Sequence, residues 1–589
     1  MDTSGTQVGE QSGPPAWLPW ILALWALVAW GGALSPGGPA FDDIEGVLEN
    51  PLVNGERPAS AAFTTDYWHH RGDAGHYRPT ALLSLALDHR LFGDELRGYH
   101  ATSLLLHAAV VLLAAKLLLA IGRARGVRPG VLWGWCLGLA LFATHPALAD
   151  AVAWVSARSS TLAILPGLLA GVLLCGRAGR AKAPLVTVVA GLGLFACLLG
   201  KEDGYVGLVP IGAALLVQGR VRAGLPGVAL AVLSWLAIRQ GIYGTPLPEA
   251  PHSPLAELGL AERLVVGGRV MLAGFGSLVG LFPGAPNHGA GDWRPDTDLG
   301  LLGWALWSAL MVYARRGRAS VPARLGLAAA LLAWLPFQGW VPAGEVFAER
   351  FLYLPALLAA PLVGELFARA VARLFASPRS ERGRSSPSHG LGVIVLLTAG
   401  AYLALVPIST WRAARPYGSL LGYHAAVLEA YPQDATSWNG LALAREEAGD
   451  VDAARAAWER AIALDRGYGR PHSNLGRLAL DAGDRVAALE HFEAAVLNGA
   501  GNPIAWANLG SLRLAMDDAA GSEAAYLRAT QLAPGMVVAW RGLARAYLSQ
   551  GLLDAAELAI ERALELAPSA TQSLAVQANV VLRQSAGDS

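Results

Sequence analysis

Residues 101–121, ATSLLLHAAVVLLAAKLLLAI, decide the broad class of this chain. A run of this length and hydropathy matches the roughly 20 apolar residues that cross a bilayer as a helix. Arg123, Arg125 and Arg128 follow it directly. That sequence of apolar run and basic stop recurs outward in both directions. Crossings are expected near 16–34, 101–121, 130–146, 159–176, 183–200, 204–218, 225–243, 299–314, 324–340, 351–374 and 390–408, eleven in all. Composition agrees: 54% of the 589 residues are hydrophobic and 15% charged, against about 25% charged in a soluble domain. Lys plus Arg balance Asp plus Glu at 45 each, which argues against a nucleic-acid-binding surface. Cys136, Cys175 and Cys197 lie inside apolar runs and read as packing residues. No Lys or Arg precedes Trp17–Leu34, so this segment reads as a retained crossing, with a short cytoplasmic tail at 1–15.

Basic loops assign the sides. Arg177, Arg180 and Lys182 follow the fourth crossing, Arg220 and Arg222 the sixth, Arg315, Arg316 and Arg318 the eighth, and Arg379, Arg382 and Arg384 the tenth. Every alternate loop is therefore basic and cytoplasmic. The loop 35–100 and everything past 408 then face outward. The apolar stretch 264–283 would break the alternation as a full crossing and reads as a re-entrant or interfacial helix. The interiors of the crossings hold few polar groups, which sets the chain apart from a transporter.

The chemistry past residue 410 is different. Trp438, His472, Trp506 and Trp540 recur every 34 residues, the period of tetratricopeptide repeats. Leu441, Leu475, Leu509 and Leu543 keep phase with them, as do Gly449, Gly483, Asp517 and Gly551 at a turn. So do Trp458, Phe492, Tyr526 and Ile560 on a second helix. Four helix pairs are expected, near 435–468, 469–502, 503–536 and 537–570, with a capping helix at 571–583 and a tail at 584–589. Such an array offers a concave surface for a peptide or protein. The expected fold is all-α: a polytopic bundle over 16–410, then an α-solenoid over 411–583.

Polar groups gather at the expected outer ends. Asp42 and Asp43 stand past the first crossing. Asp66-Tyr67-Trp68 and Tyr77-Arg78-Pro79 share their loop. His145-Pro146, Asp150, Trp154, Ser156 and Arg158 follow the third crossing, Lys201-Glu202-Asp203 the fifth, and Glu349-Arg350 with Tyr353 open the tenth. Cations on the side where they are depleted call for a local anion, and Arg and Lys bind phosphate. Bland readings stand beside this. Asp42-Asp43 could cap a helix, His145-Pro146 end one, Glu349-Arg350 pair with each other, and Lys201-Glu202-Asp203 be a solvated end.

The ordered set Phe41-Asp42-Asp43, Tyr77-Arg78-Pro79, His145-Pro146 through Asp150 and Trp154 to Arg158, Lys201-Glu202, and Ala348-Glu349-Arg350 with Tyr353-Leu354-Pro355 resembles the GT-C superfamily of membrane glycosyltransferases. With the appended repeats it is similar to the transmembrane and tetratricopeptide-repeat O-mannosyltransferases and their bacterial relatives. The resemblance implies transfer of a sugar, such as mannose, from a dolichyl- or polyprenyl-phosphate donor to an acceptor hydroxyl on a protein, without a metal. It assigns the catalytic base to Asp43 or Asp42. Arg158, Lys201, Arg350 and Arg78 are the candidates for the donor phosphate. His145, Asp150, Glu202, Glu349 and Tyr353 are further candidates for the site. No other cofactor is implied, although two carboxylates could share a divalent metal through oxygen. One departure stands out. Relatives often carry an acid two residues after the arginine of the second outer loop, and here Ser159-Ser160 follow Arg158. In a bacterium, which the Arg-, Ala-, Gly- and Leu-rich usage hints at, the outer face of the inner membrane is the periplasm. A membrane-anchored repeat scaffold for envelope proteins is the competing expectation.

Overall fold

A computed structural model of the protein describes residues 13–34, 44–48, 50–67, 76–245, 258–278, 297–334, 349–375, 400–401, 404–499, 501–566 and 571–587. Every regular element among them is helical. The chain divides into two compact units, the first running through Ala426 and the second starting at Val427. That division falls past the 410/411 boundary expected from composition.

The first unit contains α1 (Leu18–Ala29), α2 (Pro79–Phe92), α3 (Leu96–Ala124), α4 (Pro129–Ala143), α5 (Leu165–Cys175), α6 (Ala183–Leu198), α7 (Leu208–Val217), α8 (Val221–Tyr243), α9 (Leu260–Leu278), α10 (Thr297–Arg316), α11 (Val321–Trp334) and α12 (Tyr353–Phe375). The chain is a membrane protein. Among the described residues, five stretches are long and apolar enough to cross a bilayer: 96–124, 156–175, 221–243, 297–316 and 353–373. A sixth results if α4 and Pro146–Val152 count as one crossing bent by 59°. The bend has a local cause. Pro146 supplies no N–H, and it forces His145 into extended backbone at φ −77°, ψ 121°, which interrupts the helix. α1, α6 and α11 are apolar but shorter. The crossing expected at 204–218 begins as a 3-10 stretch, Glu202–Gly207, before the ten-residue α7. Most of the crossing expected at 390–408 lies outside the described residues, as does the end of 264–283, whose earlier part is α9.

Helices in lipid gain nothing from hiding apolar side chains from one another, so they associate where small residues allow close contact. Several of the described pairs do so on glycine. Gly134 and Gly138 of α4 meet Ala360 and Gly364 of α12, where an added Cβ would strike backbone carbonyls. Gly191 of α6 meets Gly227 of α8, and Gly268 of α9 meets Gly300 and Gly303 of α10 in the same manner.

The crossings are less apolar inside than the sequence suggests. His107 on α3, Arg239 on α8 and Glu365 on α12 are fully or almost fully buried. Glu365 takes hydrogen bonds from Trp135 Nε1 (3.1 Å) and Ser320 N (2.7 Å) and pairs with Arg369 (2.5 Å). Such groups are invisible in a hydropathy average because one or two per helix barely move it. At the end carrying the basic loops, Arg125 and Arg220 donate to the carbonyls of Leu216 and Ala181 (both 3.1 Å). These bonds tie the ends of neighbouring helices and their loops together on that side.

The second unit repeats a helix pair four times. The pairs are α13 (Ala435–Glu447) with α14 (Val451–Leu464), α15 (Gly469–Asp481) with α16 (Arg485–Asn498), α17 (Pro503–Ala515) with α18 (Ala519–Leu532), and α19 (Val537–Gln550) with α20 (Leu553–Leu566); α21 (Thr571–Gly587) follows. Ala454, Ala457, Trp458 and Ala461 bury one stripe of α14, and Ala488, Phe492 and Ala495 repeat it on α16. The alanines bring the paired helix close and the aromatic fills the space between. Asp450, Asp484 and Asp518 cap α14, α16 and α18 by accepting from the N–H three residues on. Each such cap contributes about 1 kcal/mol.

Candidate functional site

α2 begins at Pro79, whose missing N–H is no loss in a first helical turn. The turn is tied to the end of α6, because Thr80 donates to Leu199 O through both its N–H (3.2 Å) and its hydroxyl (3.0 Å). This brings Arg78, at the N-cap of α2, against the loop that follows α6. Arg78 Nε and one Nη reach Glu202 Oε2, each at 3.0 Å. The other contact of that Nη is His76 Nδ1 at 3.3 Å. An arginine only donates, so His76 Nδ1 accepts there. The His76 backbone N–H donates to Asp66 Oδ2 at 2.6 Å, and the Tyr243 hydroxyl, at the end of α8, donates to the same oxygen at 3.0 Å. Four segments that the charge pattern puts on one side thus meet at one end of the bundle: 66–67, 76–78, 201–203 and 243.

Burial works against both charges of the Arg78–Glu202 pair, and the pairing outweighs it. The Arg78 guanidinium, with His76 beside it, holds the Glu202 carboxyl far below the usual carboxylate range. Glu202 in turn raises Arg78 despite its desolvation. Burial alone pushes the neighbouring Tyr77 phenol up to about 12. Both charges therefore persist at any physiological pH.

Lys201 sits beside this pair. Its Nζ lies 3.2 Å from Asp203 Oδ2 and 3.2 Å from Ser160 Oγ, with the Phe351 ring 5.9 Å away. Ser160 stands where the family resemblance leads one to expect an acid. Here a neutral hydroxyl takes that place, so Asp203 is the one carboxylate within ion-pair distance of Lys201 among the described residues. The remaining Asp203 oxygen, Oδ1, is buried with no partner among the described residues, as is the Tyr205 hydroxyl.

The other expected site residues are distributed differently. Arg158 is fully buried: Nη1 contacts Asp88 (2.5 Å) and Ser84 (3.0 Å), and Nη2 donates to Tyr99 O (2.8 Å). It joins the 156–158 turn to α2 and α3, and its charge is already neutralised by Asp88. His145 donates from Nε2 to Leu278 O (2.9 Å) and accepts at Nδ1 from Ala147 N (3.2 Å). Both nitrogens are engaged in closing the turn at Pro146. Asp150 is buried and accepts from the Tyr417 hydroxyl at 3.4 Å. Tyr353 is buried too, its hydroxyl 2.9 Å from His107 Nδ1, while His107 Nε2 donates to Ala143 O (3.1 Å). Asp42 and Asp43 lie outside the described residues, as do the side chains of Glu349 and Arg350 in the turn Glu349–Leu352.

His76, Asp88 and Tyr243 were not singled out from sequence, while Asp66 and Asp203 stood among the outer polar groups without being named as site candidates. His76 had a signal, since it adjoins Tyr77-Arg78-Pro79. Asp88 had another, as a lone acid on the apolar α2. Tyr243 had none beyond ending an apolar run.

The 34-residue helix pairs match the family described as tetratricopeptide repeat at 421–469, 473–537 and 512–571. The second unit is a tetratricopeptide-repeat array. Similar proteins include a protein O-mannosyl-transferase of Caenorhabditis elegans, 28% identical over 146 residues, covering 23% of this chain and 20% of that protein. Protein O-mannosyl-transferase TMTC2 of Homo sapiens is 34% identical over 142 residues, covering 23% and 16%. Tmtc1 of Drosophila melanogaster is 34% identical over 140 residues, covering 23% and 15%. The chain thus spans a fifth or less of the length of these relatives. Among solved structures, the crystal structure of MamA is similar to the chain at 22% identity, covering 25% of this chain and 80% of that one, with a TM-score of 0.22.

Proposed function

We propose that this protein is an integral membrane glycosyltransferase that moves a sugar, mannose in the first instance, from a polyprenyl-phosphate carrier to a hydroxyl of a protein at the extracytoplasmic face. The observation that carries the reading is the polar cluster at one end of the bundle, where Lys201, Arg78, Glu202, Asp203, Asp66 and His76 converge from segments far apart in sequence. Packing alone gives no reason for so many charges at a membrane boundary. The naming of repeat-bearing relatives as protein O-mannosyl-transferases supports the same class.

In this reading the acceptor oxygen bonds to the anomeric carbon as the bond from that carbon to the carrier phosphate breaks. The acceptor proton goes to Asp43 or Asp42. The phosphate leaves with its negative charge, which Lys201, Arg350 and Arg78 stabilise. Arg158, closed against Asp88, serves beneath this cluster as a brace between helices. Glu202 aims the Arg78 guanidinium. The repeats hold the acceptor polypeptide, with the inner membrane and periplasm as the setting in a bacterium.

The test is cellular. Cells that make the protein and its Asp42→Asn and Asp43→Asn variants at equal level are compared by mass spectrometry of their envelope glycoproteins. Loss of hexose-bearing peptides in either variant supports the reading. Unchanged glycopeptides in both would establish instead a membrane-anchored repeat scaffold.

A further inference from the structure

The turn Glu202–Gly207, between α6 and α7, is pressed onto its surroundings at two glycines. A Cβ at Gly204 would strike the Cys197 carbonyl at the end of α6, and one at Gly200 would meet the backbone of Leu162. This close fit holds the residues on either side in place. Asp203 is only 9% exposed, and the Tyr205 hydroxyl is shut off from solvent. Among the described residues neither Asp203 Oδ1 nor that hydroxyl has a hydrogen-bond partner. The two lie near enough for the Asp203 charge to act on the Tyr205 phenol. A polar atom buried without a partner is costly, and such atoms call for a ligand or a bound water.

The two oxygens of Asp203 face different chemistry. Oδ2 lies 3.2 Å from Lys201 Nζ, while Oδ1 takes no donor from the described residues. An ionised carboxylate only accepts, and a phenol both donates and accepts. A phosphate oxygen is therefore repelled from Oδ1, whereas a neutral hydroxyl suits it. A cation for an anion, flanked by a bare acceptor and a phenol, matches a glycosyl phosphate, in which a charged group and several hydroxyls hang on one ring. We propose that Asp203 Oδ1 and the Tyr205 hydroxyl bind hydroxyl groups of the sugar being transferred, beside the phosphate contact of Lys201. The inference rests on the glycosyl-transfer reading above and adds to it the residues that recognise the sugar. A site built to hydrogen-bond a substrate hydroxyl rejects a ligand that lacks it, because its own buried groups are then left unpaired. Bound waters satisfy the same atoms in the competing case.

The test uses full-length protein in lipid nanodiscs, titrated with mannosyl polyprenyl phosphate and, separately, with polyprenyl phosphate lacking the sugar. Binding is read by native mass spectrometry, and each variant is checked by a thermal melt. Tyr205→Phe should weaken binding of the mannosyl carrier about three- to tenfold and leave the bare carrier unchanged. Asp203→Asn should weaken the mannosyl carrier by about tenfold or more, while the bare carrier binds as tightly or more tightly, since Lys201 is no longer shared with a carboxylate. Opposite responses of the two carriers are what a merely structural role does not produce. Equal weakening of both carriers, or undiminished binding of the mannosyl carrier in both folded variants, would overturn the proposal and leave the atoms to water. Wild-type protein that binds neither carrier would overturn the glycosyl-transfer reading and the proposal with it. Tyr205→Phe decides the matter alone if Asp203→Asn fails to fold.

Discussion

Arg78 and Glu202, 124 positions apart, close an ion pair at 3.0 Å between the start of α2 and the loop after α6, with each side chain under a fifth exposed. Removing one partner leaves the other charge desolvated, so Glu202→Gln should destabilise the protein by roughly 1–3 kcal/mol, less than for a fully buried pair. The pH dependence has a definite sign. The Glu202 carboxyl is depressed in the folded state, so its stabilisation is complete above the unfolded value of about 4.3. It is lost as pH falls from there towards the folded value. The apparent melting temperature of wild-type protein in detergent should therefore drop below about pH 4.5 more steeply than that of Glu202→Gln. Parallel curves would refute this.

Arg158 and Asp88 make the corresponding pair deep in the bundle. Asp88→Leu and Arg158→Met should each destabilise by about 3–5 kcal/mol. The double variant Asp88→Leu with Arg158→Met should be more stable than either single one. A double-mutant cycle of unfolding midpoints measures this. Additive losses would mean that the two side chains do not depend on each other.

The turn of the third repeat carries Asp517 at φ 61°, where the other repeats have Gly449, Gly483 and Gly551 at φ 82°, 82° and 78°. Side chains other than glycine are strained there by about 1 kcal/mol. Asp517→Gly should accordingly slow amide exchange across α17 and α18. Faster exchange would show that the aspartate makes a compensating contact.

The glycine seam between α4 and α12 gives a prediction for the membrane unit. Gly364→Leu puts a side chain against the Gly134 carbonyl and should prevent the two helices from meeting. The expected outcome is a large loss of folded protein in detergent by size-exclusion chromatography. The same change at Gly212, where nothing lies within 4 Å of an added Cβ, should be tolerated.

How much of this could be seen in the sequence varies with the interaction. The repeats were legible because a 34-residue period puts equivalent residues in equivalent helices, so Trp458 and Phe492 announce the same stripe. In the membrane unit the crossings expected at 101–121, 159–176, 225–243, 299–314 and 351–374 coincide with spanning-length helices, while the others were less legible. Hydropathy reports average polarity and cannot see the 3-10 stretch at Glu202–Gly207, whereas the proline of His145-Pro146 did mark a helix end. The cluster around Arg78 and Glu202 was half legible, since charge at a boundary marks a residue without naming its partner. Arg158 shows the limit most clearly. Its cation looks available to a ligand until Asp88, 70 residues earlier, is found against it. Tyr353 and His145 differ for the same reason, each already bound to a buried partner.

Lys201 carries the proposed phosphate contact, so Lys201→Met should lower kcat/KM for sugar transfer by on the order of 10²–10³. The change leaves the Asp203 carboxylate, 11% exposed, without its ion-pair partner, so a thermal melt of the variant accompanies the assay and only folded protein is compared. An unchanged kcat/KM would move the phosphate away from Lys201.

The central claim is tested most directly by reconstituting the purified protein in lipid nanodiscs with radiolabelled mannosyl polyprenyl phosphate and an acceptor polypeptide from the same cells, and measuring label on the polypeptide. The account predicts transfer by the wild-type protein and a loss of at least about 10² in rate in Asp43→Asn or Asp42→Asn. Transfer at the wild-type rate by both folded variants would contradict it.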